Sequence, residues 1–174
     1  ARASCAPTLA AVFAAVNCAT ITGTDHQART DLSAFHTGCC IRYFDDNDTY
    51  LPKEPAHPSD NIAACLAVAE SVGANGRELI TAIALAYEVQ CRFCDAASIR
   101  ARGWDHPTYG AFSTALAAAR LMKLDAEKPR HAVNIAGVNC AAFPRARVGA
   151  LSPWNGGAFA DAGLCAVYRG LPRA

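Results

Sequence analysis

Apolar residues recur along this chain at intervals of three and four positions, which is the spacing of one face of a helix. Five stretches in its interior carry this pattern: 30–43, 59–72, 76–98, 107–122 and 125–143. Gly73 follows one of them, Pro107 opens another and Asp125 precedes the last, all common signals of helix boundaries. The pattern predicts an all-α protein, a multi-helix bundle that forms a single helical domain over residues 1–174.

The apolar faces of these helices indicate how they pack. The stripe contains Leu32, Phe35, Cys39 and Tyr43 in the first helix, Ile62, Cys65, Leu66 and Ala69 in the second, and Ile80, Ile83, Ala84, Tyr87, Cys91 and Cys94 in the third. Because the third helix is apolar far around its surface, we expect it to be central, with its stripe buried. Two end helices, 7–19 and 156–168, and a polar loop over 20–29 complete the prediction.

The composition supports helices and limits the partners. Of 174 residues, 39 are alanine, the best helix former, and 52% are hydrophobic. The 16 basic and 15 acidic residues are interspersed and leave a net charge of +1, which argues against nucleic acid or a membrane surface as a partner. The nine cysteines are irregularly spaced, mostly within the helical patterns, so we interpret them as buried free thiols of a cytoplasmic protein.

The densest cluster of polar residues lies between the first two interior helices, in residues 44–61. Three aspartates fall within four positions starting at Asp45, and three prolines prevent a continuous helix. An irregular polar loop between helices is a common location for catalytic residues. Aspartate oxygens also bind Ca²⁺, but the sixth and twelfth positions counted from Asp45 are Tyr50 and Ala56 instead of Gly and Glu, so the EF-hand pattern fails. A solvated loop whose aspartates cap the neighbouring helices is the structural alternative.

Two histidines stand directly before prolines, His57 in this loop and His106 ahead of the helix that begins at Pro107. A residue before proline is restricted to an extended backbone, which fixes the direction of its ring. Each histidine alone is more commonly structural. Two of them together with a carboxylate can transfer protons near neutral pH, so the pair indicates general acid–base chemistry.

Two other features are weaker indications of function, the single CxxC and the arginines in the predicted loops. Cys91 and Cys94 form the single CxxC, which lies in an apolar helix without a second cysteine or histidine pair to complete a zinc site, so we interpret it as core packing. Arginines in loops bind carboxylates in bidentate fashion or stay solvated. Four arginines occupy the predicted loops: Arg100, Arg102, Arg145 and Arg147.

Several segments together resemble the MmgE/PrpD family, which includes 2-methylcitrate dehydratase and cis-aconitate decarboxylase. They are YFDDNDTYL at 43–51, KEPAHPSDN at 53–61, GRELITAI at 76–83, AYEVQ at 86–90, WDHPT at 104–108, AVNIAG at 132–137 and RVGALSPW at 147–154. The likeness covers most of the chain in the family's order. The longer spacing between Thr49 and His57 is similar to that of the dehydratase branch.

The resemblance implies a large helical domain with a cleft for a small di- or tricarboxylate, no metal or other cofactor, and a homodimer. The family's catalytic Asp, Thr and two His fall on Asp45, Thr49, His57 and His106. Dehydration needs a base, an acid and cations that hold the carboxylates; the two histidines would supply base and acid, and Asp45 would orient one of them. The candidate substrate-binding residues are Arg102 and Asn155.

Two departures lower the expected activity. Asn155 stands where the family has a lysine, and a lost charge-assisted bond to a substrate carboxylate costs about 1.5–3 kcal/mol. The family's second, α/β domain is absent and the chain does not begin with methionine, so we expect an internal or truncated part of the helical domain. We expect a lyase as the parent protein and a chain that alone is inactive or weak. A non-catalytic helical domain, a decarboxylase and an epimerase are the alternative interpretations.

Overall fold

The computed structural model describes residues 18–139, and this part of the chain is mostly helical, as predicted. It contains five α-helices: α1 (Thr30–Arg42), α2 (Ile62–Val72), α3 (Gly76–Ala96), α4 (Pro107–Leu121) and α5 (Glu127–Asn139). The other elements are the strands β1 (Cys18–Thr20) and β2 (Gln27–Arg29) and two 3-10 helices, Pro58–Asn61 and Arg100–Arg102. Between residues 18 and 139, no helix has the length and apolarity needed to cross a bilayer. The helices predicted near the two ends lie outside the described residues, and the single domain over 1–174 stays a prediction.

The boundaries of α2 and α3 follow local signals. Gly73 ends α2 with a left-handed backbone, φ +65°, which glycine adopts without a steric penalty. Asn75 begins α3 with a reciprocal capping box: its side chain accepts a hydrogen bond from the Glu78 N–H, and the Glu78 carboxylate accepts one from the Asn75 N–H, both at 3.0 Å. The helix predicted from residue 59 begins later, at Ile62, because a 3-10 helix comes first.

The predicted loop over 20–29 has a short β-hairpin at its ends. β1 and β2 pair antiparallel, with Ala19 opposite Ala28. Cys18 and Ala19 therefore lie in a strand, not at the end of the predicted first helix. The reason is tertiary: Ala19 is fully buried in the helical core, and the Thr20 N–H donates to Glu70 Oε2 at 2.9 Å, which ties β1 to α2.

The core between the helices is built mostly from alanine. α3 packs chiefly on α4, α1 on α2, and α5 on α4. The main cluster of buried side chains includes Cys65, Val68 and Leu121, and its other members are alanines such as Ala34, Ala63, Ala82, Ala86, Ala111 and Ala115. Side chains this small let helix backbones approach closely, so the helices are held by close contact rather than by large interdigitating side chains.

The large apolar residues predicted to be buried face outward instead. Leu32 of α1 is 55% exposed, Leu66 of α2 42% and Ile80 of α3 70%. The buried positions of α3 are four residues apart on a neighbouring stripe: Ala82, Ala86, Gln90 and Cys94. The predicted central position of α3 is therefore wrong for the described residues. Most of its predicted stripe lines an open groove of about 440 Å³ instead.

The cysteines between residues 18 and 139 are free thiols, but only some are buried. Cys65 and Cys94 are buried, and burial raises the pKa of each thiol to about 12. Cys40 is exposed, and the others in this range are half-buried. The prediction of buried thiols is thus right for two residues and wrong for Cys40. Cys94 packs against Ala56 and Tyr109, which agrees with a packing role for the second cysteine of the CxxC.

Candidate active site

The polar stretch of residues 44–61 folds back on itself between α1 and α2. Tyr50 and Ala56 form an isolated antiparallel pair, in which the Tyr50 N–H donates to the Ala56 carbonyl at 3.0 Å and the reverse hydrogen bond is 2.9 Å. The pair closes residues 51–55 into a small loop. The chain that leaves Ala56 therefore runs beside the chain that enters Tyr50, which brings His57 next to Asp48.

His57 is half-buried, and its Nδ1 lies 2.7 Å from the backbone carbonyl oxygen of Asp48. A carbonyl oxygen can only accept a hydrogen bond, so this contact assigns the ring proton to Nδ1. The Asp48 carboxylate accepts a hydrogen bond from the Ser59 N–H at 3.0 Å, which holds the segment on the far side of His57. Nε2 is then the nitrogen of this ring that can exchange a proton with a substrate.

His106 is 2% exposed and lies at the start of α4. Its Nδ1 is 3.1 Å from Asp105 Oδ1, and the same oxygen accepts a hydrogen bond from the His106 N–H at 2.9 Å. The Asp105 carboxylate is fully buried. The carboxylate oxygen accepts the Nδ1 proton, so the ring nitrogen left for proton exchange is again Nε2, which is buried.

The extended backbone predicted before Pro107 is wrong for His106. Its dihedral angles are φ −49° and ψ −31°, which are helical. Its carbonyl oxygen accepts a hydrogen bond from the Tyr109 N–H at 2.8 Å, so the residue already belongs to the first turn of the helix. This turn and the Asp105 contacts outweigh the steric preference before proline.

The structure brings the two histidines together. Their ring centroids are 5.3 Å apart and their planes cross at 72°, an edge-to-face arrangement. Each ring stands at the beginning of a helical segment, His57 before the 3-10 helix Pro58–Asn61 and His106 before α4. Two positive charges this close would repel each other.

The other predicted site residues are more exposed. Asp45 has a left-handed backbone, φ +55°, and its carboxylate, 65% exposed, lies 2.7 Å from the guanidinium of Arg42. Thr49 and Arg102 are exposed, and Asn155 lies outside the described residues. Asp45 therefore contacts an arginine. The Nδ1 atoms of His57 and His106 are held instead by Asp48 and Asp105. No group of three or more His, Cys, Asp or Glu between residues 18 and 139 is placed to hold a metal ion.

Tyr87 of α3 and Arg42 of α1 both interact with aspartates of this polar stretch. Burial raises the pKa of the Tyr87 hydroxyl, and the charge of Asp48 and a hydrogen bond to it raise that pKa further. The buried Arg42 faces Asp45 at 2.7 Å and Asp60 at 3.8 Å, so two acidic residues already share its charge. A carboxylate substrate would therefore need cations other than Arg42.

Comparison with known proteins agrees with the segments quoted from the sequence. Residues 4–170 match the family model described as the MmgE/PrpD N-terminal domain. The chain belongs to the MmgE/PrpD family. The match runs over nearly the whole chain, which confirms the resemblance noted in the sequence and the helical domain that it implies.

Several curated MmgE/PrpD relatives are named 2-methylcitrate dehydratase. The protein from Escherichia coli (strain K12) is 30% identical over 129 residues, which are 68% of this chain and 27% of that protein. The protein from Cupriavidus necator is 32% identical over 133 residues, 71% of this chain and 28% of that protein. A relative from Yarrowia lipolytica, named 2-methylcitrate dehydratase, mitochondrial, is 28% identical over 130 residues, 68% of this chain and 25% of that protein. The chain thus spans about a quarter of the length of these relatives.

The MmgE/PrpD segment at 53–61 also contains a buried carboxylate that the sequence analysis missed. Glu54 is fully buried, and its Oε2 accepts three hydrogen bonds, from the Ser98 hydroxyl at 2.9 Å and from the N–H groups of Ile99 at 3.0 Å and Arg100 at 3.1 Å. Its other oxygen, Oε1, is 3.4 Å from Arg100 Nε. The one indication of Glu54 in the sequence is its position in the segment that also contains His57.

A second missed residue is Asn61, which joins three helical segments. It is 1% exposed; its amide nitrogen donates to Gln90 Oε1 on α3 and to the Pro58 carbonyl at 2.9 Å. Its amide oxygen accepts hydrogen bonds from the hydroxyls of Ser113 at 2.7 Å and Thr114 at 2.9 Å, both on α4. These bonds connect the segment after the first histidine to the helix that follows the second.

Proposed function

We propose that this MmgE/PrpD chain carries the acid–base residues of a lyase that dehydrates a small hydroxy-tricarboxylate such as 2-methylcitrate without a cofactor. One observation carries the proposal: the rings of His57 and His106 lie 5.3 Å apart, and an oxygen holds Nδ1 of each. Two imidazoles with Nδ1 engaged present the same nitrogen, Nε2, for proton exchange. The names of the curated relatives support the substrate class.

Dehydration moves one proton off a carbon and another onto a leaving oxygen. The C–H bond next to a carboxylate breaks and its electron pair forms the new C=C bond, while the C–O bond breaks and the hydroxide leaves as water with a proton from the acid. A carboxylate on Nδ1 stabilises a positively charged imidazole more than a carbonyl oxygen does. We therefore assign His106, held by Asp105, as the acid and His57, held by a carbonyl, as the base.

Two of the other predicted residues contact the substrate in this proposal. Asp45 and Thr49 belong to the loop that precedes His57, and we assign Thr49 and Arg102 to contacts with hydroxyl and carboxylate groups of the substrate. Asn155 replaces the family's lysine, so the expected turnover of the chain alone is weak or absent. We expect a homodimer in the cytoplasm, although the name of the Yarrowia lipolytica relative places that protein in mitochondria.

The test is an absorbance assay. The purified chain is incubated with 2-methylcitrate, and ultraviolet absorbance follows the conjugated double bond of the product. We expect a slow rise that His57→Ala and His106→Ala both abolish and that Asn155→Lys increases. The matched control is His131→Ala, because His131 is an exposed histidine on α5. A rise that persists unchanged in both site variants would contradict the proposal.

A second candidate is a helical domain that keeps the fold without the activity. The exposure of Thr49 and of the Asp45 carboxylate favours it. In that case absorbance stays flat for the wild-type chain and for Asn155→Lys. The decarboxylase and epimerase alternatives are separated by product analysis, since the first releases carbon dioxide and the second conserves the mass of the substrate.

A further inference from the structure

A continuous series of polar contacts leads from the loop at residues 51–55 to the buried histidine. Glu54 Oε1 is 3.4 Å from Arg100 Nε, Arg100 Nη2 is 3.9 Å from Asp105 Oδ1, and that oxygen is 3.1 Å from His106 Nδ1. Both carboxylates are fully buried, whereas the Arg100 side chain is 45% exposed. A guanidinium between two buried carboxylates compensates part of the charge of each, so a change at one carboxylate alters how much compensation the other receives.

Glu54 also holds the backbone that carries this series. Its Oε2 collects the Ser98 hydroxyl and two consecutive backbone N–H groups, at Ile99 and Arg100. Its own N–H donates to the Cys94 carbonyl at 3.1 Å, near the end of α3. One buried side chain therefore fixes the connection between α3 and α4 at several points, and this connection ends at the histidine.

We propose that Glu54 is a positioning residue for His106: it holds the connection from α3 to α4 in place and, by sharing Arg100 with Asp105, sets the orientation and the proton affinity of the imidazole. The catalytic meaning of this inference rests on the proposed function. The positioning itself is measurable without turnover.

In the described part of the chain, two titratable groups contact the ring directly: Asp105 at Nδ1 and His57 edge to face. Arg100 and Glu54 follow Asp105 in the series of contacts, and Cys94 of α3 and Tyr109 of α4 pack against Ala56, the residue before His57. Burial raises the pKa of Cys94 to about 12 and also raises the pKa of Tyr109, so both stay neutral near pH 7. The fixed charges in this series of contacts are the two carboxylates and the guanidinium; Asp95 also acts on Cys94, and Arg102 on Tyr109.

Two substitutions are expected to act in opposite directions. Glu54→Gln removes the charge that draws Arg100 away from Asp105, so the guanidinium compensates Asp105 more fully and the ring binds its proton less tightly. Arg100→Gln removes the compensating cation, so Asp105 acts on the ring at full charge and the proton is held more tightly. We expect a change of at least about threefold in proton affinity in each case. Loss of packing alone would not give opposite signs.

The experiment uses the full chain labelled with ¹⁵N-histidine. Nuclear magnetic resonance follows the ring nitrogens of His106, assigned by their loss in His106→Asn, as the pH is varied. In the wild-type chain we expect His106 to be in the Nδ1–H form. In Glu54→Gln we expect a mixture of its tautomers and a titration at lower pH. In Arg100→Gln we expect its titration at higher pH. Glu54→Asp, which keeps the charge, is expected to restore part of the effect. Glu127→Gln is the matched control, because Glu127 is exposed on α5 and pairs with Arg130.

Turnover is measured on the same samples. With activity present, Glu54→Gln is expected to lower kcat on the order of 10- to 100-fold, to leave KM within about twofold, and to move the alkaline limb of the pH profile to lower pH. Opposite resonance shifts support the positioning role, and together with absent turnover in both the wild-type chain and Asn155→Lys they contradict the proposed function. Turnover together with a His106 titration and tautomer that are identical in Glu54→Gln and the wild type overturns the inference and leaves the proposed function standing. If circular dichroism shows that Glu54→Gln does not fold, Arg100→Gln decides, because Arg100 is half-exposed. The inference is overturned if the titration of His106 in Arg100→Gln does not move to higher pH.

Discussion

Two parts of the interior are held together in different ways. Between α1, α2 and α4 the buried side chains are mostly alanines, and stability depends on how closely the backbones approach. Around Glu54, Asn61 and His106 the buried side chains are polar, and stability depends on the direction of hydrogen bonds. The difference separates two tasks: the alanine core sets the distances between helices, and the polar region sets the orientation that a proton-transfer pair needs.

The largest effect is expected at Asn61. Asn61→Ala removes a hydrogen-bond partner from the side chains of Gln90, Ser113 and Thr114, which are all buried. We therefore expect a loss of about 3 kcal/mol in the free energy of unfolding. Urea unfolding measures the loss, with Asn134→Ala, at an exposed position of α5, as the control. Equal stability of the two variants would show that the polar region is held by its packing alone.

A medium effect is expected from overfilling the alanine core. Ala86 and Ala84 lie on the same helix, but the first is fully buried and the second is exposed at the groove. Leucine at position 86 must push α3 away from its neighbour, so Ala86→Leu is expected to cost about 1–3 kcal/mol of unfolding free energy. Ala84→Leu is expected to change stability by less than about 0.5 kcal/mol. Similar values for both, measured by thermal and urea unfolding, would mean that the core yields to added volume.

The smallest effect is expected at Glu78, whose carboxylate interacts with Asn75 and Lys123. The backbone N–H of Asn75 and then the Lys123 ammonium, at 3.0 Å, lower the pKa of Glu78 below its ordinary value of 4.5. Because the folded chain binds this proton less tightly than the unfolded chain, the stabilisation is complete above the ordinary pKa and is lost as pH falls through the lowered one.

Glu78→Gln is therefore expected to be less stable than the wild-type chain at neutral pH, and the gap should narrow as the pH falls below 4.5. Unfolding curves recorded across that range measure the gap. Glu127→Gln, the exposed control on α5, should behave like the wild type at neutral pH. A gap that is constant with pH would assign the effect to the cap geometry and not to charge.

The positions of the helices could be predicted from the sequence because their signals are local. Gly73 and Pro107 mark ends and starts where the structure has them, and the Asp125 carboxylate accepts a hydrogen bond from the Lys128 N–H at 3.4 Å just ahead of α5. The buried faces could not be predicted in the same way. Apolar periodicity gives most weight to large residues such as Ile80, whereas these helices pack through alanine, which is so common here that it occurs on every face of a helix.

The candidate site was predictable in part. The repeated His-Pro pairs and the family resemblance single out His57 and His106, and the structure brings their rings together. Glu54 and Asn61 gave no comparable signal, because their partners lie 44 and 52 residues away and become neighbours only in the fold. A polar residue in a loop is solvated far more often than it is buried, so the sequence alone favours the wrong environment for both.

The pairing of Tyr50 with Ala56 allows the loop between them to vary in length. Since the pair pins both ends, residues 51–55 can gain or lose length without displacing His57. Glu54 lies inside that segment, so the same insertion or deletion moves its carboxylate away from Ser98 and Arg100. A change in loop length would therefore act on His106 through the loss of Glu54, while the Tyr50–Ala56 pair keeps His57 beside Asp48.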